Sequence, residues 1–192
     1  MLVDAVIGQW RRGERDPRPV SFLGVKHFPL LYRLNGQDSY LIWISNDNET
    51  VETDAMGQVL TFNDSKAIAA YAAARQYVLE TEEPKRHDLD WVARWLSTTD
   101  MPVDCDKALA AWNLFGDVAR SIPQADDAFE QLDSRFGKVY EKLFWGNNLP
   151  AVTPKGCRFD PKWSADEITA LAMVLRAGLE LFQSRTLAAH QA

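Results

Sequence analysis

The chain has 192 residues, 46% of them hydrophobic and 25% charged, enough for one domain or two small ones and too few for a large multi-domain enzyme. Twenty-seven acids against twenty-one Lys and Arg leave a net charge of −6, which argues against a surface built to coat nucleic-acid phosphates or anionic membranes and suits a basic partner. Cys105 and Cys157 are too few for a disulfide scaffold or a four-thiolate metal site, no stretch nears the roughly 18 uninterrupted apolar residues of a membrane span, and Met1-Leu2-Val3-Asp4 lacks a secretion-signal pattern, so a reduced, cytoplasmic setting is expected.

In chain order, residues 11–18 carry four arginines and read as an exposed connection, and residues 20–25 offer a possible strand. Residues 29–34 and 39–45 are rich in Leu, Ile, Tyr and Trp and flank Asn35-Gly36-Gln37-Asp38, where Asn-Gly supplies the positive φ of a tight hairpin. Residues 50–53 and 58–62 continue the pattern, which predicts a four-stranded antiparallel meander. Alternation puts Tyr40, Ile42 and Ile44 on one face and Leu41, Trp43 and Ser45 on the other, so both faces need cover. Asn63-Asp64-Ser65 offers N-caps for an alanine-rich helix over 66–79 that packs on the sheet.

Residues 80–85 hold Pro84 and no large apolar side chain, and mark the clearest boundary. The expected organisation is therefore a sheet with its covering helix at 1–79 and a helical portion at 86–192, packed together as one unit. Asp88 can cap a short helix carrying Leu89, Trp91, Val92 and Trp95, and Asp104 a longer one carrying Cys105, Ala108, Leu109, Trp112, Phe115 and Ala119, stopped by Pro123. Residues 126–143 predict one helix, or two broken near Gly137, and Gly146 is suited to the left-handed residue that ends it. After an irregular segment to Trp163, Ser164 and Glu167 form a capping box for a last helix bearing Ile168, Leu171, Leu175, Leu179 and Phe182, whose tail from Ser184 should fray. The fold class is α+β.

Catalytic signatures are sparse. The sequence has no phosphate-binding glycine loop, no dinucleotide fingerprint, no nucleophile elbow and no H-E-x-x-H, and no cofactor or metal is expected. His87 before Asp88-Leu89-Asp90 reads as an acid-oriented base or, more plainly, as a polar helix start. Cys105 sits between Asp104 and Asp106, whose charges raise a thiol pKa, and reads as structural; Cys157, between basic residues, is the more electropositive thiol. Asn113, Asp117 and Arg120 form a polar stripe at helical spacing, either a site or a helix-packing contact. Phe144-Trp145-Gly146-Asn147-Asn148-Leu149-Pro150 is either a structural cap or a rigid recognition loop.

Charge is segregated along the chain: residues 1–79 carry −1, residues 80–133 carry −8 and residues 134–192 carry +3. Carboxylates favour helix starts and solvated loops, which by itself accounts for Asp88, Asp104 and Asp126. The functional alternative is an acidic face that docks on a cationic protein, with charge steering encounter and aromatic anchors supplying affinity.

The chain resembles the immunity proteins of bacterial contact-dependent growth inhibition and other polymorphic toxin systems. The resemblance lies in Leu30-Leu31-Tyr32-Arg33-Leu34, Tyr40-Leu41-Ile42-Trp43-Ile44 and the strand-to-helix passage Val59-Leu60-Thr61-Phe62-Asn63-Asp64. It continues in Trp112-Asn113-Leu114-Phe115-Gly116-Asp117 and in the stretch from Lys142 to Pro150. It implies a cytoplasmic, non-enzymatic protein that binds one cognate toxin domain and blocks its active site or an essential surface; these proteins share no diagnostic motif, so no site residue is carried over. The acids put forward for the interface are Asp88, Asp90, Asp104, Asp106, Asp126, Asp127 and Glu130, with Trp91 or Trp95 as anchor. The alternative is a small enzyme or ligand-binding protein with a pocket between sheet and helical portion, built from Asn113, Asp117, Arg120 and the Asn147-Asn148 loop.

Overall fold

The Asn-Gly pair forms the turn its chemistry demands. In the computed structural model Asn35 and Gly36 have φ of 54° and 75°, and Leu34 faces Gln37 across the two-residue loop, the geometry that twists a hairpin correctly. The structure describes residues 24–46, 48–80, 83–98, 101–122 and 128–186; the expected arm at 11–18, most of the strand expected at 20–25, and Pro123 lie outside them. Strands β1 (Lys26–Leu34) and β2 (Gln37–Ser45) pair antiparallel along their whole length, and β3 (Thr50–Val51) adds antiparallel to β2.

The fourth strand differs from the sequence expectation. Residues 58–62 are shared among three segments of chain and form no regular ladder: Phe62 exchanges both backbone bonds with Tyr40, Leu60 N–H donates to the Glu52 carbonyl and the Gln58 carbonyl accepts the Asp54 N–H, and Val59 N–H donates to the Arg185 carbonyl. The fourth strand is instead β4 (Arg86–Asp88), parallel to β1, and the order is β3-β2-β1-β4. The chain reaches that edge after helix α1 (Ser65–Ala74), where Leu79 bridges His27 in parallel and Glu80 N–H bonds the His27 carbonyl. Advancing along the free edge of β1 then brings Arg86, His87 and Asp88 beside Leu31, Tyr32 and Arg33.

Asp64 caps α1 by accepting from Lys66 and Ala67 N–H. The helix ends at Ala74 rather than Leu79, because Gln76 takes φ of 61° and frees Tyr77 to stack on His27. Both faces of the sheet are covered, as the alternation requires. Ile42 packs with Leu60, Phe62 and Ile68 beneath α1, and Leu41 and Trp43 face the helices.

Helices α2 (Leu89–Ser97), α3 (Cys105–Ser121), α4 (Ala128–Arg135), α5 (Gly137–Gly146) and α6 (Ala165–Arg185) complete the described fold. Asp88 caps α2 and Asp104 caps α3, and the Ser164–Glu167 capping box is formed. The break at Phe136-Gly137 divides α4 from α5. Gly146 is the last residue of α5 and is not left-handed; Asn148, at φ of 52°, takes that role. Gly146 is required for another reason: a Cβ there would stand 2.5 Å from Cys105 Sγ and 2.9 Å from Pro161 Cγ. Helix α3 is central, with Trp112 and Phe115 fully buried and Phe182 of α6 packed between Phe115, in a tilted contact, and Tyr32, edge-on. Each such side chain taken from water contributes about 1.5–3 kcal/mol.

Candidate functional site: an acidic cleft at the start of helix α3

Three stretches of chain meet beside the α3 N-terminus. The α2–α3 connection contributes Met101 to Asp106, the end of α5 contributes Gly146, Asn147 and Asn148, and the irregular segment before α6 contributes Arg158 to Pro161 and Trp163. They enclose an open cleft of about 550 Å³. Gly146 allows α5 to approach Cys105 closely. Asn148 then fixes the opposite wall: its side chain donates to the Phe159 carbonyl at 2.9 Å and accepts the Phe159 N–H at 2.7 Å, imitating a strand partner. Lys142 anchors the same segment further on, donating to the Lys162 carbonyl and to Glu167. This pairing, with the Ser164 N–H, holds Glu167 below the usual carboxylate range.

The lining carries three carboxylates, Asp104, Asp106 and Asp160, against one base, Arg158. Asp104 spends one oxygen on the Lys107 N–H at 3.1 Å. Asp106 is paired with Lys85, and Asp160 with Lys162 at 3.1 Å; the two lysine side chains are 64% and 90% exposed. Burial pushes the Cys105 thiol up, and the charges of Asp104 and Asp160 add to the effect, so Cys105 is held as a neutral thiol and the two acids act on one point. Phe159 is 44% exposed although its backbone is clasped. Cys157 is exposed outside the cleft lining.

The acids singled out from the sequence divide into separate groups. Asp104 and Asp106 share the cleft. Asp88 and Asp90 are engaged within the fold: Asp88 accepts from the Trp91 N–H and Lys107 and lies 3.9 Å from Arg94. Asp90 accepts the Gly36 N–H at 2.9 Å, tying the hairpin turn to α2. Burial works to raise the Asp88 pKa, but the Trp91 N–H, Lys107 and Arg94 together hold it below the usual range. Trp91 and Trp95 are buried, stacked at 6.1 Å, with the Trp95 indole donating to the Met101 carbonyl; both belong to the main core and neither lines the cleft. Glu130 is exposed on α4 and does not line the cleft. Asp126 and Asp127 lie outside the described residues.

The side chains of the polar stripe on α3 turn to different parts of the fold. Asn113 accepts from Tyr140 Oη at 2.9 Å, while Asp117 turns to the sheet, accepting from Trp43 Nε1 and Arg120. His87 is half-buried, with Nδ1 3.3 Å from the Ala110 carbonyl; desolvation lowers its pKa against that bond. Among the described residues, no group of three or more His, Cys, Asp or Glu is placed to hold a metal ion, and no helix is long and apolar enough to cross a membrane.

Phe159, Asp160 and the Asn148 clasp escaped sequence reasoning, because the segment after Pro150 shows no periodicity. The Ser164 capping box marked where that segment ends but not what it packs against.

No family model matches the chain, and no curated protein matches it. Among solved structures, the chain is similar to the SatS C-terminal domain, crystallised in complex with bromine, at 14% identity and a TM-score of 0.51 over 88% of this chain and 97% of that one. That likeness is one of fold.

Proposed function

We propose that the protein is a cytoplasmic immunity protein that binds and neutralises a cognate bacterial toxin domain with a basic surface. The observation that carries the reading is the cleft at the α3 N-terminus, where Asp104 and Asp106 from one stretch of chain and Asp160 from another stand beside exposed Phe159. Clustered carboxylates accelerate encounter with a cationic partner, and an apolar side chain held in place supplies contact area without an ordering cost. The charge of −8 over residues 80–133 has the same sense.

The test is growth rescue. A candidate toxin domain, recovered with the tagged protein from lysate of its source organism, is expressed with and without the protein, and the complex is isolated at low and moderate salt. Restored growth together with a stoichiometric complex that weakens as salt rises supports the reading. A toxin that still kills, or no complex at either salt, overturns it; thermal-shift screening of metabolites is then the next step, because the cleft also has the volume of a small-ligand site.

A further inference from the structure

We propose that Asp117, Arg120 and Ser121 of α3 form a proton-sensitive clasp on the outer edge of β3, which holds residues 49–51 against the helix while Asp117 is protonated and lets them open once it ionises. The inference is independent of what the protein binds.

The geometry is that of a covered sheet edge. Glu52 N–H donates to the Ile42 carbonyl, so the backbone groups of Glu52 turn toward β2, and those of Val51 and of Glu49 two residues before it turn away, as alternation along an antiparallel strand requires. Side chains of α3 take these outward groups: Ser121 Oγ accepts the Val51 N–H at 2.7 Å, and Arg120 donates to the Glu49 carbonyl at 3.0 Å. Asp117 sets both, because its carbonyl accepts from the Ser121 hydroxyl at 2.6 Å and its carboxylate pairs with Arg120. Strand β3 meets β2 at only two positions, Val51 opposite Trp43 and Thr50 opposite Ile44, so α3 supplies a second hold on it.

The cluster has one more acid than base. The charged groups acting on Asp117 are Arg120 from its own helix and Glu49 from the strand side, with the Trp43 indole N–H as a neutral donor from β2. One guanidinium between two carboxylates, with the Asp117 side chain 8% exposed, favours keeping a proton on the cluster, and burial raises both Asp117 and Glu49. Opening residues 49–51 hydrates Asp117 and carries Glu49 away from it, which relieves the cost of ionisation. A carboxyl that binds its proton more tightly closed than open stabilises the closed form fully below its ordinary value and loses that contribution as pH rises through the closed one.

The experiment follows two protons of the full chain by NMR from acid to mildly alkaline pH. The Trp43 indole N–H, identified by its loss in Trp43→Phe, reports the carboxylate it bonds; the Val51 amide, measured as a hydrogen-exchange protection factor, reports the clasp. The indole resonance should titrate at about 7, and Val51 protection should fall by up to about tenfold per pH unit below that value and level off above it. Both should be flat in Asp117→Asn. Glu49→Gln keeps the Glu49 carbonyl and should move the titration to lower pH, since it removes a repulsion. Low urea should leave Val51 protection unchanged while the amide of buried Leu175 loses it, because the clasp opens without global unfolding. An indole resonance that does not titrate, Val51 protection that is independent of pH or equally steep in Asp117→Asn, or Val51 protection as sensitive to urea as that of Leu175 overturns the inference.

Discussion

The Trp43 indole N–H donates to the Asp117 carboxylate at 2.9 Å, joining the second strand of the sheet to the C-terminal part of α3 through a side chain only 8% exposed. Ser121 extends the junction: its hydroxyl accepts the Val51 N–H at 2.7 Å and donates to the Asp117 carbonyl at 2.6 Å. Arg120 closes it by pairing with Asp117 and donating to the Glu49 carbonyl at 3.0 Å. Asp117 and Arg120 of the polar stripe are thus part of the seam between sheet and helices, while Asn113 bonds Tyr140 of α5.

This seam predicts a pH dependence. Burial pushes the Asp117 carboxyl up to about 7, against Arg120, which favours the charged form, and with Glu49 adding repulsion. A carboxyl whose folded value exceeds its ordinary 3.8 binds more protons folded than unfolded. Its stabilising contribution is therefore complete below the ordinary value and is lost as pH rises through about 7. Asp117→Asn keeps an acceptor for Trp43 and cannot titrate. In urea titrations across this range the native chain should lose stability relative to Asp117→Asn as pH rises, and a difference independent of pH would refute the raised value.

Gly178 sets the distance between α3 and α6. A Cβ there would overlap the Phe115 side chain, including Phe115 Cβ at 2.7 Å, so the obstacle is not a movable tip. Alanine gains about 1 kcal/mol of helix propensity, but overpacking a filled core costs about 1–3 kcal/mol. Gly178→Ala should lower the urea midpoint without changing the denaturant slope. A higher midpoint would show that the two helices can separate freely.

Asp88 and Asp106 both belong to the acidic middle of the chain, yet they should behave differently. Asp88→Ala removes a helix cap, worth about 1 kcal/mol, together with the Lys107 and Arg94 pairs. Its pKa is held below the ordinary 3.8, so its contribution is present above that value and is lost as pH falls through the folded one. Asp106→Ala removes an exposed pair with Lys85 and a first-turn acid of α3, both small at an exposed position. Stability should therefore fall in Asp88→Ala and hold in Asp106→Ala, while affinity for a basic partner should do the opposite. Equal losses of affinity would return Asp88 to the interface.

Local chemistry was legible wherever a backbone group needs a particular side chain. Asn35-Gly36, Asp64, Asp88, Asp104 and the Ser164–Glu167 box all stand where the sequence puts them. Pairings set by distant partners were not. Arg86-His87-Asp88 has no strand pattern and is a strand because β1 offers a free edge, and residues 58–62 have the pattern but divide their bonds among three segments of chain. At the candidate site the acids of the α3 start were visible, whereas Asp160 reaches them only through the Asn148 clasp, a contact that no periodicity encodes.

That clasp yields the last prediction. Asn148 serves the chain in three ways, by taking φ of 52°, by donating to the Gly146 carbonyl at the end of α5 and by bonding both backbone groups of Phe159. Asn148→Gly keeps the backbone conformation and removes the clasp; Asn148→Ala removes the clasp and adds left-handed strain of about 1–2 kcal/mol. Both should expose the Phe159 amide to hydrogen exchange, and only the alanine variant should also lose global stability. The main core, centred on α3 and α6, should stay protected in both, because its buried side chains do not include Phe159. If the Phe159 amide exchanges no faster in Asn148→Gly than in the native chain, the wall is held by Lys142 and its contacts at residues 162 and 167, and Lys142→Met becomes the variant that releases it.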